Sequence, residues 1–176
     1  MIQVLAVPVP DASGLLRTLK AVHFCDAYQT SICNPKLSVQ NAYEGIFGHS
    51  PLWVQTLMTL RGVVASALGL KHEANDHFQD IHGGNSGASY YVGQRVGMFL
   101  VKSIETNELI VGDDDKHLDF RISILRSTTN GVEMVTVSTA VEIHNTVGGL
   151  YMLVVKPFHR VIAKSMVQRA ANAGRL

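Results

Sequence analysis

Two segments of the chain carry residue types that can do acid–base or metal chemistry. The first has His117, Asp119 and Arg121 at alternate positions, and the second has Glu142 and His144. Alternate residues of a β-strand point to the same face, so a strand would present each set together. Carboxylates and imidazoles act as general acids and bases, and they also bind metal ions such as Zn²⁺. These residues are therefore our candidate catalytic residues.

The turn between the two segments predicts how they pair. Asn130-Gly131 lies between two β-rich runs, and this dipeptide favours the type I′ turn of a two-residue hairpin. With that turn, Asp119 faces Glu142 and His117 faces His144. The apolar side chains then lie on one face and the polar ones on the other, a separation that a shift of one residue would destroy. The candidate residues are thus predicted to form one polar patch.

This patch has two interpretations. Directly opposed carboxylates repel each other unless a proton, a cation or an arginine compensates them, so a metal ion or an acid–base pair could use them. The alternative is the solvated outer face of a one-sided sheet, with Arg121 bridging the acids in a salt-bridge cluster. We favour the outer face, because the apolar face of the hairpin should be the one that meets a helix.

The elements that would position these residues predict an α+β domain. The predicted strands cover residues 23–33, 96–104, 108–112, 117–128, 133–144 and 149–155. No stretch between the last five of them could hold a crossover helix, so the sheet should be antiparallel. At 176 residues, the chain is expected to form a single domain.

Helices are predicted on both sides of this meander. After the first strand, one helix runs from Ser38 to about Phe47, and a second begins at Ser50-Pro51 and ends at Gly69. A long C-terminal helix should begin at Pro157. This order of elements is that of the helix-grip fold, in which a curled antiparallel sheet of about six to seven strands surrounds the last helix.

A sheet curled around one helix usually leaves a pocket between them. The candidate ligand-binding residues are aromatic, apolar or basic side chains from the predicted helices and the hairpin: Trp53, Leu57, Phe120, Phe158, His159 and Arg160. His159 and Arg160 would lie in the first turn of the last helix, where an anion can bind. The plainer interpretation is core packing for Trp53 and a solvated surface for His159 and Arg160.

The segment from 71 to 89 is predicted to be a long polar, glycine-rich loop. His72, His77 and His82 are spaced five residues apart in it, but no helix would bring them together, so we interpret them as solvated. The glycines match neither the GxGxxG pattern nor a Walker A motif. The loop therefore gives no indication of a bound nucleotide.

Composition narrows the function classes. Apolar residues make up 47% of the chain and charged residues 16%, and a cavity or a homo-oligomer interface would absorb the apolar surplus. A net charge of +1 without a basic stripe argues against nucleic acid as a partner. No apolar run approaches the roughly 20 residues of a membrane span, and the N-terminus lacks a secretory pattern. We therefore expect a cytoplasmic protein that does not associate with membranes.

From Pro51 onward the chain resembles a bacterial family described as domain of unknown function 2867. The segments that carry the resemblance are PLWVQTLMTLRGVVASALGLK, NELIVGDDDKHLDFRISIL, VTVSTAVEIHN and GGLYMLVVKPFHRVI. The family is grouped with START-like, birch-pollen-allergen-like (SRPBCC) helix-grip domains, so the resemblance implies the same fold and a pocket. It implies no reaction, and the residues of HLDFR and PFHR are transferred only as motif positions. Some relatives carry the domain behind an epimerase-like Rossmann domain.

Three functions remain open. The first is a binding protein for an apolar or amphipathic small molecule, held between the sheet and the last helix without a metal or another cofactor. The second is an enzyme that uses the polar patch, or His159, for acid–base or metal-assisted chemistry. The third is an interaction domain whose patch binds a Rossmann-type reductase. The direction in which His117 and Asp119 point, toward the last helix or away from it, separates the first two.

Overall fold

The computed structural model describes residues 2–48 and 90–176. Seven strands form one antiparallel sheet in the order β1-β2-β7-β6-β5-β4-β3. The strands are β1 (Leu5–Ala6), β2 (Phe24–Ser31), β3 (Arg95–Val96), β4 (Phe99–Ile104), β5 (Glu108–Asp114), β6 (Leu118–Thr129) and β7 (Val132–Ile143). The helices are a 3-10 turn (Leu15–Thr18), α1 (Val39–Phe47) and α2 (Thr146–Asn172). The predicted α+β helix-grip-like architecture is confirmed.

The hairpin of β6 and β7 has the predicted register. Asn130 and Gly131 have φ angles of 51° and 78°, the positive values that the type I′ turn requires. Asp119 pairs with Glu142, and Leu118 pairs with Ile143. The turn chemistry and the separation of apolar from polar side chains therefore fixed the same register.

Helix α1 forms where the sequence predicts it. The Ser38 hydroxyl accepts a hydrogen bond from the Asn41 backbone N–H at 3.1 Å, which satisfies one of the free donors at the helix start. Its buried face consists of Val39, Ala42, Tyr43, Gly45 and Ile46. The predicted second helix, which carries Trp53 and Leu57, lies outside the described residues.

The prediction of a strand at 149–155 and of a helix start at Pro157 is wrong. These residues belong to α2, which Asn145 caps by accepting a hydrogen bond from Gly148 N–H at 3.2 Å. The first turns of α2 are apolar on every side: Tyr151 and Met152 are buried, whereas Leu150, Leu153 and Val154 are exposed. A short apolar run without a helical period cannot be distinguished from a strand by pattern alone.

The longer helix changes where the basic residues of the PFHR motif lie. His159 and Arg160 are in the middle of α2, so their predicted position in the first turn of the last helix is wrong, and the option of an anion bound at a helix start is lost with it. Pro157 lies inside the helix and has no N–H to donate to the Leu153 carbonyl. Because Leu153 is on the exposed side of α2, water can reach that carbonyl.

Gly148 allows α2 to begin close against β6. A Cβ built on Gly148 would lie 2.2 Å from the His117 carbonyl oxygen, whereas one on Gly149 would meet nothing within 4 Å. Any side chain at 148 would therefore push the helix away from the sheet. The adjacent glycine has no such constraint.

Different elements pack on the two faces of the sheet. On the inner face, α1 and α2 enclose a core that includes Tyr28, Tyr43, Ile124 and Val167. On the outer face, the 3-10 turn places Leu15 against Ile110 and Ala140. Within residues 2–48 and 90–176, no helix combines the length and the hydropathy that a membrane span needs.

Candidate functional site

A polar cluster lies on the inner face of the sheet beneath the middle of α2. The His159 Nε2 atom is 3.2 Å from Asp26 Oδ1, and the Tyr28 hydroxyl is 3.5 Å from Asp26 Oδ2. The Asp26 side chain is only 11% exposed and that of His159 24%. Asp26, Tyr28 and His159 form what we call the inner polar cluster. A carboxylate this shielded is rare unless it is paired or used.

Burial and a neighbouring charge both raise the pKa of Tyr28. Its hydroxyl is desolvated, and the neighbouring Asp26 carboxylate further disfavours a tyrosinate, so its pKa is raised above the ordinary value. Arg160 opposes this shift without cancelling it. At neutral pH the Tyr28 hydroxyl is therefore a proton donor.

Basic side chains of α2 surround the ring of Phe24 next to this cluster. The Lys156 Nζ atom is 5.4 Å from the ring centroid, and the Arg160 guanidinium carbon is 6.0 Å from it. The His159 ring packs edge-on against Phe24 at a centroid distance of 5.7 Å. Cations over an aromatic face are attracted by the quadrupole of the ring. Lys156 and Arg160 thus place positive charge at the rim of the interface between the sheet and α2.

The inner polar cluster separates two apolar clusters. The larger one includes Tyr28 and Ile122, and the smaller one includes Phe24 and Val141. Asp26 sits between Phe24 and Tyr28 on β2, opposite Thr139 on β7. Half-buried Phe120 packs against both clusters. Asp26 and Thr139 thus place polar side chains between the two apolar clusters, and Phe120 connects the clusters beside them.

The predicted ligand-binding residues are only partly brought together. His159 and Arg160 lie at the inner polar cluster, and Phe120 lies on the sheet between the apolar clusters. Phe158 is 47% exposed and has no part in the contacts that join the inner polar cluster. Trp53 and Leu57 lie outside the part of the chain that the structure describes.

Sequence reasoning missed the contribution of β2. Phe24, Asp26 and Tyr28 occupy alternate positions of this strand, so they share the inner face. The signal was an acidic residue flanked by two inward aromatic residues at that spacing. Lys156 was missed because it falls between the strand predicted at 149–155 and the helix start predicted at Pro157. In the structure, Lys156 and Arg160 are four residues apart on one helix face.

A second cluster lies on the outer face, where β6 begins and β7 ends. Asp119, Glu142 and His144 each offer a ligand atom, and these atoms all lie within 4.8 Å of one another. The His144 Nε2 atom is 3.3 Å from Asp119 Oδ2. We call these residues the outer trio. Their side chains point away from α2, as the sequence predicts for the polar face of the hairpin.

Arg121 does not bridge these acids. It pairs with Asp114 of β5, with 2.5 Å between Nη2 and Oδ1, and it donates further hydrogen bonds to the Asp113 and Phe120 carbonyls. Gly112 lets β5 approach Arg121 closely, because a Cβ there would lie 2.1 Å from the Phe120 carbonyl oxygen and 3.0 Å from Arg121 Cδ. The predicted salt bridge from Arg121 to Glu142 is therefore wrong.

His117 lies opposite His144, but its side chain contacts the residue that caps α2. Its Nδ1 atom is 3.0 Å from Asn145 Oδ1, the same oxygen that caps α2. His144 N–H donates to the His117 carbonyl at 2.9 Å. Among the described residues, His117 Nε2 is buried without a hydrogen-bond partner. His117 is adjacent to the outer trio without belonging to it.

The centre of the outer face is not solvated, in contrast to the interpretation from sequence. Buried Glu108 accepts hydrogen bonds from the hydroxyls of Ser13 and Ser123 and, at 2.8 Å, from Gly14 N–H. The N-terminal segment is held across β5 and β6 by these bonds. It also reaches β7, where Lys20 N–H donates to Glu142 Oε2 at 2.8 Å.

The fold and these two clusters define a helix-grip-like α+β domain with polar side chains beneath its long helix. The sequence profile of the family described as "Protein of unknown function (DUF2867)" matches residues 18–166. The chain therefore belongs to this family. No curated protein and no solved structure matches the chain.

Proposed function

We propose that this protein binds an amphipathic small molecule between the sheet and α2. The observation that carries the proposal is the inner polar cluster, which places shielded polar groups between two apolar clusters beneath the helix. Asp26 and His159 face each other across this interface at 3.2 Å, and half-buried Phe120 lies between the two apolar clusters. Such a mixture of apolar lining and a few convergent polar groups is typical of small-molecule sites.

The side chains around the proposed site indicate where the apolar part and the polar end of the ligand would lie. The apolar body would lie along Phe120 and the inner strands. The polar end would receive hydrogen bonds from the Tyr28 hydroxyl and from His159. Lys156 and Arg160 at the rim favour an acidic group at that end, since they supply positive charge beyond what Asp26 neutralises.

The structural alternative is that Asp26 and His159 only hold α2 on the sheet. Replacing both members of a shielded hydrogen-bonded pair by apolar residues of similar volume is often neutral or stabilising. The double variant Asp26→Leu/His159→Leu should therefore keep its free energy of unfolding while losing ligand affinity. A purely structural pair predicts no change in affinity.

Fluorescence titration with anilinonaphthalenesulfonate, an apolar anion, tests the proposal. We expect saturable binding by the folded wild-type protein and at least about tenfold weaker binding by the double variant, a loss of about 1.4 kcal/mol. His159→Gln, which retains a donor, should fall between the two. Lys164→Gln, at an exposed lysine of α2 one turn beyond Arg160, is the matched control and should bind like the wild type.

Native mass spectrometry of the purified protein provides a second measurement. A ligand retained from the expression host should appear as a discrete added mass that the double variant lacks. A wild-type protein that takes up no probe and carries no added mass would overturn the proposal. Equal probe binding by the wild type and the double variant would overturn the assignment of Asp26 and His159.

A further inference from the structure

The outer trio lies on the opposite side of the sheet from the inner polar cluster and has no part in the proposed ligand site. Asp119 on β6 and Glu142 on β7 are directly opposite each other in the register. His144 follows Glu142 by two residues, so it points to the same face just beyond the end of β7. A hairpin thus presents two carboxylates and one imidazole at a single position on the surface.

Backbone hydrogen bonds fix the orientation of both carboxylates. Asp119 Oδ1 accepts from Asp115 N–H at 3.1 Å, and Glu142 Oε2 accepts from Lys20 N–H at 2.8 Å. Asp119 Oδ2 is the oxygen that faces His144 Nε2, at 3.3 Å. Bonds of this kind orient the ligands of metal sites, because they hold each carboxylate in place.

Within residues 2–48 and 90–176, no arginine pairs with either carboxylate of Asp119 and Glu142. Opposed carboxylates on neighbouring strands repel each other, and Arg121 is occupied by Asp114. A cation bound between Asp119 and Glu142 would remove this repulsion.

We propose that Asp119, Glu142 and His144 form a binding site for a divalent transition-metal ion of the Zn²⁺ type. Ca²⁺ and Mg²⁺ select oxygen ligands, whereas an imidazole together with carboxylates suits Zn²⁺ and its neighbours. Metal–ligand bonds of about 2.0–2.2 Å at a tetrahedral angle place ligand atoms roughly 3.4 Å apart. The ligand atoms now lie within 4.8 Å of one another, and small rotations of the side chains would bring them to that distance.

The site would hold the metal with an open position. Three protein ligands leave at least one coordination position of a tetrahedral ion for water or for a small anion. The His144 and Asp119 side chains are 31% and 21% exposed, so solvent reaches the site. On metal binding, the direct contact between His144 and Asp119 is replaced by a bond from each of them to the metal ion.

Isothermal titration of Zn²⁺ into the chelator-treated full chain tests the site. We expect one ion per chain, with affinity reduced by more than about tenfold in His144→Ala and in Glu142→Gln. Glu142→Gln keeps an oxygen that can accept from Lys20 N–H, so the outer face should remain folded. Circular dichroism and urea unfolding of each variant verify this.

Two further measurements separate this site from other histidines. The triple variant His72→Ala/His77→Ala/His82→Ala should bind Zn²⁺ like the wild type. Co²⁺ in place of Zn²⁺ should give visible absorption bands of a nitrogen and oxygen site, and these bands should disappear in His144→Ala. Binding that survives His144→Ala, binding lost in the triple variant, or no binding in excess Zn²⁺ would each overturn the proposal.

Discussion

Asp26 of β2 and His159 of α2 are 3.2 Å apart, between Oδ1 and Nε2, across the interface between the sheet and the long helix. The two residues are 133 positions apart in the chain. They meet because β2 pairs with β7 and because α2 begins before Pro157 and returns over β2. The contact joins the first long strand of the domain to its last helix.

The coupling between these residues can be measured by a double-mutant cycle. Asp26→Ala and His159→Ala should each destabilise the protein, since each leaves a shielded polar partner unpaired. We expect a coupling free energy of about 0.5–2 kcal/mol from urea unfolding of the wild type, the two single variants and the double variant. The same cycle on the exposed pair Arg95 and Asp113 should give less than about 1 kcal/mol. Additive effects at Asp26 and His159 would contradict the prediction.

Alkaline pH should weaken the fold through Tyr28. Its pKa is raised in the folded state, first by desolvation and then by Asp26, so the folded protein retains a proton that the unfolded chain loses. The resulting stability is present below the ordinary tyrosine pKa of about 10 and is lost as the pH rises above it. Tyr28→Phe should therefore show a shallower loss of stability in alkaline urea unfolding. Parallel alkaline curves for Tyr28→Phe and the wild type would refute this role.

Two adjacent glycines at the start of α2 should respond oppositely to alanine. Gly148→Ala should cost roughly 1–3 kcal/mol, because its Cβ would lie 2.2 Å from the His117 carbonyl oxygen. Gly149→Ala meets nothing within 4 Å and should stabilise the helix by about 0.5–1 kcal/mol. Thermal or urea unfolding of both variants measures the difference. A stable Gly148→Ala variant would mean that α2 does not approach β6 so closely.

Acid should weaken the fold through Asp114. Desolvation alone would raise the pKa of this carboxyl, but hydrogen bonds from Lys102 and Arg121 outweigh it and hold the pKa below its ordinary value. The stability is present above the ordinary carboxyl pKa of about 4 and is lost as the pH falls below it.

Asp114→Asn should accordingly lower the free energy of unfolding by about 1–2 kcal/mol at neutral pH, a value reduced because Asp114 is 51% exposed. Its loss of stability in acid should be shallower than that of the wild type. Asp113→Asn, at the exposed pair with Arg95, is the control and should change stability by less than about 1 kcal/mol. An equal effect of the two substitutions would argue against a special role for buried Arg121.

Local sequence signals determined the parts of this protein that depend on neighbouring residues. Asn130-Gly131 requires positive φ angles, and the alternation of apolar and polar residues on either side permits one register, so the pairing of Asp119 with Glu142 followed from the sequence. Ser38 marked the start of α1 for the same local reason. These signals placed the outer trio on one face before its geometry was known.

Only the tertiary structure decided which partners the polar residues take. The apolar run after Asn145 has no period of its own, and packing of Tyr151 and Met152 against the sheet makes it helical. That choice moved His159 from a helix start to the middle of α2, above Asp26. Arg121 pairs with Asp114 because β5 lies beside β6. The pattern of the β6–β7 hairpin does not predict that β5 is the other neighbour of β6. Contacts between residues distant in sequence depend on how whole elements pack, so no local pattern encodes them.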